Sequence, residues 1–256
     1  MVDYRVNDCH VHLGTSDGIY SHFEPLDIVT HKERNNIDKL LMMSFEHTPS
    51  INNSWIDRLT QDFDYMYGLH WIQYSKLSSD IEHIIYKENK KMLGCKFHGS
   101  YEPFPITHRP YHLLLEVLNV QRAILLVHCG RYKEGSYESK TSYLYALDVA
   151  KIYPKIKVIC AHMGGTDTTV CKKAIDAAVD IPNVYFDTSG ITTPYIIEYA
   201  VTYLQPERIL FGSDAPWCSF RAMYYTVLDA KINQMDKEKI LYHNFNNLLE
   251  PIKLYT

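Results

Sequence analysis

Two histidines separated by one residue, His10 and His12, lie in the stretch RVNDCHVHLG, Arg5 to Gly14, which otherwise reads as a buried strand. Side chains alternate along a strand, so His10 and His12 share a face with Asp8, while Cys9 and Val11 point the other way into apolar packing. Two imidazoles on one buried face without partners cost desolvation, which coordination of a metal ion would offset. A pair of structural histidines is the competing reading, and H-x-H alone does not separate the two. Three later apolar runs end in the same manner: LLVHCG places His128 two residues before Gly130, VICAHMGG places His162 two before Gly164, and LFGSDAP places Asp214 two before Pro216. One histidine in an apolar strand is usually a satisfied core residue. Four strands that each deliver a His or Asp at the carboxyl end point jointly to a metal site.

Such residues meet only if the carboxyl ends of their strands converge. The chain alternates short β-rich runs with longer amphipathic ones, and about eight of the former are legible: YRVNDCHVHLG, KLLMMSF, YMYGLHWIQY, MLGCKFHG, AILLVHCG, KVICAHMGG, NVYFDTSG and RILFGSDAP. Between and after them, SSDIEHIIYKENKK opens with the cap-forming Ser78, Ser79 and Asp80, and YHLLLEVLN, YLYALDVAKIY and DKEKILYHNFNNLLE carry helical signals. With no linker, low-complexity tract or repeat, this alternation predicts one domain over residues 1–256, an α/β protein of the (β/α)8 TIM barrel type. In that fold the carboxyl ends of the strands form the active-site mouth. The alternative, an open doubly wound sheet, expects a Gly-rich turn after an early strand, and no G-x-G-x-x-G is present.

A chain of 256 residues with 46% hydrophobic composition can bury a large core. Its net charge of -4, with Lys and Arg scattered apart from pairs such as Lys90-Lys91 and Lys172-Lys173, gives no electrostatic footprint for nucleic acid. Met1 leads into a charged strand rather than a leader, and no apolar run approaches the ~20 residues of a membrane helix, so a cytoplasmic protein without a membrane partner is expected. The six cysteines form no C-x-x-C pair, and Cys9, Cys95, Cys129 and Cys160 sit in apolar runs, where they read as small buried residues rather than disulfide partners. A homo-oligomer stays open.

H-x-H on the first strand, His128 ending the fifth, His162 in AHMGG ending the sixth and Asp214 in GSDAP ending the eighth resemble the amidohydrolase superfamily. More narrowly they resemble its amidohydrolase-related branch, which includes aminocarboxymuconate semialdehyde decarboxylase-like metal-dependent hydrolases. The resemblance spans nearly the whole chain, since ILYHNFNNLLE, with Asn244, is similar to the family's final helix. It implies His10, His12, His128 and Asp214 as ligands of one divalent ion, with His162 beside it as acid/base. Imidazoles with one carboxylate suit zinc, with manganese, iron and cobalt as alternatives. Such an ion lowers the pKa of its water toward ~7, and Asp214 and His162 are then the proton-handling groups. The expectation is a metal-dependent hydrolase acting on an amide, ester or lactone of a small molecule. Its alternatives are a non-oxidative decarboxylase of an aromatic or unsaturated carboxylic acid, and a metal-independent lactonase. Phosphoesterases with three metals also open with H-x-H, and Glu46 and His47 past the second strand keep that class open.

Further candidates line the expected mouth. Lys96 and His98 on the fourth strand share the inward face if the register holds. Lys96 could bridge two metals, as a carboxylated Lys does in other amidohydrolases, but one metal is the reading. His98 could contact substrate. Arg131, after Gly130, could bind a substrate carboxylate, and Trp217 could form an apolar wall. Asp187 in FDTSG is expected to cap the next turn rather than orient a neighbour. The substrate itself is not legible, because specificity lives in the loops, here chiefly residues 14–25 and 99–111.

Overall fold

Strands covered on both faces must be apolar along their whole length, and each of the apolar runs becomes one. The computed structural model describes residues 4–16, 21–45, 49–86, 88–130, 137 and 139–253. Its strands are β1 (Val6–Ser16), β2 (Ser21–Phe23), β3 (Ile37–Ser44), β4 (Met66–Trp71), β5 (Met92–Phe97), β6 (Ile124–Val127), β7 (Lys157–Cys160), β8 (Val184–Asp187) and β9 (Ile209–Leu210). Helices α1 (Pro25–Arg34), α2 (Pro49–Asp62), α3 (Leu77–Tyr86), α4 (His112–Val120), α5 (Tyr143–Ile152), α6 (Thr168–Ala178), α7 (Pro194–Tyr203), α8 (Phe220–Asp229), α9 (Gln234–Glu238) and α10 (Asn244–Lys253) intervene or follow. The strands pair in the order β2-β1-β3-β4-β5-β6-β7-β8-β9, all parallel except β2, which folds back antiparallel on the end of β1. The extension of β9 then returns to β1: Phe211 O accepts from Cys9 N, His10 O from Asp214 N, and Ala215 O from His12 N, at 2.8–2.9 Å. This closes eight parallel strands into a (β/α)8 barrel. No helix among the described residues is long and apolar enough to cross a membrane.

Two apolar layers follow from the alternation of strand side chains. Cys9, Leu41, Met43, Leu69, Leu126, Ile159 and Leu210 fill the barrel interior. Phe245, Leu248 and Leu249, spaced to share one face of α10, join the same cluster and plug it. Lys39 and Lys157 bond α10 across that end, to Asn246 Oδ1 and Leu248 O, each at 2.7 Å. The opposite strand faces, including Val11, Leu40, Met42, Leu125 and Val127, pack under the helices.

Two expectations are corrected here. Strict alternation in β1 fails, because Asp8 pairs with Leu40 and Val11 with Met42, three steps of β1 against two of β3. This bulge turns Cys9 inward and Asp8 outward. Asp8 there accepts from Ser213 N at 2.8 Å and lies 3.5 Å from His31 Nε2 of α1. Likewise Ser78, Ser79 and Asp80 do not open α3, which begins at Leu77 after a short 3-10 turn. Asp80 is drawn off to Gln73 N and His70 Nε2, at 3.0 and 2.9 Å.

Candidate active site

His10 and His12 project inward from β1, and each has its Nδ1 committed. His10 Nδ1 meets Asp187 Oδ2 at 2.9 Å, and His12 Nδ1 meets Ser44 O at 2.8 Å. Both partners only accept, so both Nδ1 atoms carry the ring proton and both Nε2 atoms carry lone pairs. Those Nε2 atoms stand 3.2 Å apart, with Asp214 Oδ1 3.4 Å from His10 Nε2 and 3.2 Å from His12 Nε2. Three electron-rich atoms turned on one point repel one another unless a cation lies among them, so this trio could hold a divalent ion. Gly212 permits the approach, since a Cβ there would come within 2.9 Å of His10 Cβ.

The other expected donors form a second group. His128 does not join the trio; its Nδ1 lies 3.1 Å from His162 Nε2. His162 Nδ1 meets Ser189 O at 3.0 Å and Ser189 Oγ at 2.8 Å. Backbone strain is stored at these strand ends, where His162, Met163 and Asp214 adopt φ of 56°, 53° and 60°. Lys96 is fully buried, with Nζ 3.3 Å from His10 Nε2.

Burial dominates the electrostatics. It pushes the His10 imidazole down to about 4 and His98, also facing Lys96, down to about 2, and it drives His128 well down. Burial also lowers the Lys96 ammonium to about 8. For the carboxylates burial acts upward, but facing imidazoles and hydrogen bonds win, holding Asp187 at about 2 and Asp214 below the usual range. At neutral pH His10 thus offers a neutral imidazole and Asp214 an ionised carboxylate, the protonation state that metal binding requires.

His12 and Asp214 of the trio line a cavity of about 480 Å³. His98, Trp217, Lys96, His128 and His162 line it as well. Arg131, Glu46 and His47 lie outside the described residues. Sequence reasoning missed Trp71, whose ring stacks on His98 at 5.7 Å, while His98 stacks on His128 at 3.7 Å. The signal was the register: Trp71 pairs with Lys96 and so shares its inward face. Asp187 orients a neighbour as well as tying its own turn, accepting from Ser189 N at 3.1 Å.

The chain belongs to the amidohydrolase family, whose model, described as Amidohydrolase, matches residues 43–247. The match begins after β1, so it does not include the H-x-H pair. No curated protein matches. Among solved structures, the chain is similar to a dihydroxybenzoic acid decarboxylase from a Polaromonas species, with bound manganese and the inhibitor 2-nitroresorcinol (16% identity, 98% of each chain, TM-score 0.75). It is also similar to 2,6-dihydroxybenzoate decarboxylase from Rhizobium (13% identity, 100% of each chain, TM-score 0.74). A third is 5-carboxyvanillate decarboxylase from Novosphingobium aromaticivorans, complexed with manganese and 4-hydroxy-3-methoxy-5-nitrobenzoic acid (11% identity, 97% of this chain and 96% of that one, TM-score 0.77). The protein is an enzyme of this fold. The expected hydrolase of an amide, ester or lactone is corrected by these likenesses, which fall on decarboxylases. The physical reason is that imidazoles and a carboxylate at strand ends serve either reaction, since one Lewis acid can activate water or hold a substrate.

Proposed function

We propose that the protein is a metal-dependent, non-oxidative decarboxylase of a small aromatic carboxylic acid. One observation carries the reading: His12 and Asp214, which form a donor trio with the buried His10, line a cavity walled by the rings of Trp71, His98 and Trp217. A planar ring stacks against such walls, and its carboxylate then faces the donors. A divalent ion held by His10, His12 and Asp214 would supply a Lewis acid for the substrate's oxygen atoms. Manganese, present in two of the similar decarboxylases, is the first ion to test, and zinc the second.

The proton belongs to His162. Its Nδ1–H is held by Ser189 O, which leaves Nε2 to take up a proton and give it to the ring carbon. As the bond to the carboxylate breaks, carbon dioxide leaves and the electron pair of that bond becomes the new C–H bond. His98 accepts from Ser100 N at Nδ1, so its Nε2–H can donate to a substrate oxygen. Asp214 stays ionised and serves as ligand and electrostatic partner. A second reading, two ions with Lys96 modified as a bridge, is favoured by the facing nitrogens of His128 and His162 at 3.1 Å.

Two measurements test this. Metal-loaded protein offered 2,6-dihydroxybenzoate, 5-carboxyvanillate and related acids is expected to release carbon dioxide; failure across the panel rejects the decarboxylase. Metal analysis is expected to give about one equivalent per chain. Two equivalents, falling to one in Lys96→Met, would establish the bridged centre instead.

A further inference from the structure

We infer that Asp187 is a positioning residue that fixes the ring tautomer of His10 and ties it to His162 through one carboxylate. Four donors converge on this fully buried group. Oδ2 faces His10 Nδ1 at 2.9 Å, and Oδ1 accepts from His162 N at 3.0 Å, Ser189 N at 3.1 Å and the Ser189 hydroxyl. Oδ1 thus carries three of the donors and Oδ2 takes the fourth, from His10. Ser189 Oγ, with its proton given to Asp187, turns lone pairs toward His10 Nδ1 at 3.1 Å and His162 Nδ1 at 2.8 Å. Both rings are thereby held with the proton on Nδ1 and the lone pair on Nε2, toward the cavity.

The geometry dictates what an amide would do in its place. Two of the donors on Oδ1 are backbone N–H groups, which cannot surrender a proton. In Asp187→Asn the amide oxygen must therefore stay on that side, and the NH2 must face His10 Nδ1. His10 can meet an N–H donor only with a lone pair on Nδ1, which moves its proton to Nε2, the atom turned toward His12 and Asp214. The substitution keeps the shape and reverses the donor. His162, still bonded through its backbone N and Ser189 O, keeps its tautomer.

This rests on reading His10 as a metal donor, and the test separates the two. Long-range 1H–15N NMR of the histidine rings in the metal-free full-length protein should show His10 and His162 protonated at Nδ1, and His10 alone moved to Nε2–H in Asp187→Asn. Competition with a chelator should show manganese affinity reduced about 10- to 100-fold in that variant, the range typical for a lost outer partner of a metal ligand. Ser189→Ala should leave the His10 tautomer in place and cost less. Finding His10 as Nε2–H in the wild-type protein overturns the inference without any variant. So does an Asp187→Asn protein of wild-type affinity. Wild-type protein with Nδ1–H rings that takes up no metal would instead reject the metal-donor reading while leaving Asp187 its role.

Discussion

Asp214 and His162 stand close together yet should fail differently when changed. Asp214→Asn keeps an oxygen toward His10 and His12 but loses the charge that balances a divalent ion. Turnover is expected to fall by about 10²-fold or more, with metal affinity reduced less than in His10→Ala. Steady-state kinetics beside metal titration checks this, and near-normal turnover would reject the assigned role. His162→Asn should abolish most turnover, by roughly 10²- to 10⁴-fold, while metal content stays at the wild-type value. Metal loss in that variant would make His162 a ligand and favour the two-ion centre.

At the level of elements, the strand ends are useful only if the helices behind them are anchored. Arg208, just ahead of β9, donates to Val184 O and to Ala178 O, Val179 O and Ile181 O at the end of α6, at 2.7–3.0 Å. A guanidinium suits this because its donors form a rigid fork. Arg208→Ala leaves those carbonyls without their donor and is expected to destabilise the fold by about 3 kcal/mol or more, measured by denaturant unfolding. At the far end of the barrel, Phe245→Ala in α10 removes a ring packed edge-on against Tyr67 at 6.2 Å. It should cost about 3–5 kcal/mol and leave turnover per folded molecule unchanged.

Across the whole molecule, metal and fold are linked by mass action. An ion that binds only the folded barrel adds about 2.7 kcal/mol at a hundred times its dissociation constant, so manganese should raise Tm by several degrees and a chelator should reverse it. A Tm indifferent to both would argue against a site in this barrel. Much of this architecture was legible beforehand, because parallel strands covered on both faces write themselves as apolar runs, as KLLMMSF and AILLVHCG do. His10, His12 and Asp214 were legible for the same reason, being polar residues at the ends of such runs. What stayed hidden depends on neighbours far along the chain. The inward turn of Cys9 follows from pairing with β3, the Trp71 wall from its register with Lys96, and the role of Asp187 from its reach across to His10. Hydrolysis and decarboxylation were inseparable for a chemical reason, since the same donors serve both.

The bulge in β1 has a consequence for how this site tolerates change. Between Asp8 and Val11 β1 carries one residue more than β3, and the bulge that absorbs it contains Cys9. Its thiol fills interior space, so Cys9→Ala alters packing and little else. Deleting Cys9 lets Asp8 pair with Leu40 and Val11 with Met42 without a bulge, so His12 keeps its place beside Met43 and its height in the barrel. The height of His12 is therefore set by pairing beyond the bulge, with Met43 on one side and Ala215 on the other, more than by residue 9. A lineage could exchange residue 9 freely and still hold the His12 imidazole at that height.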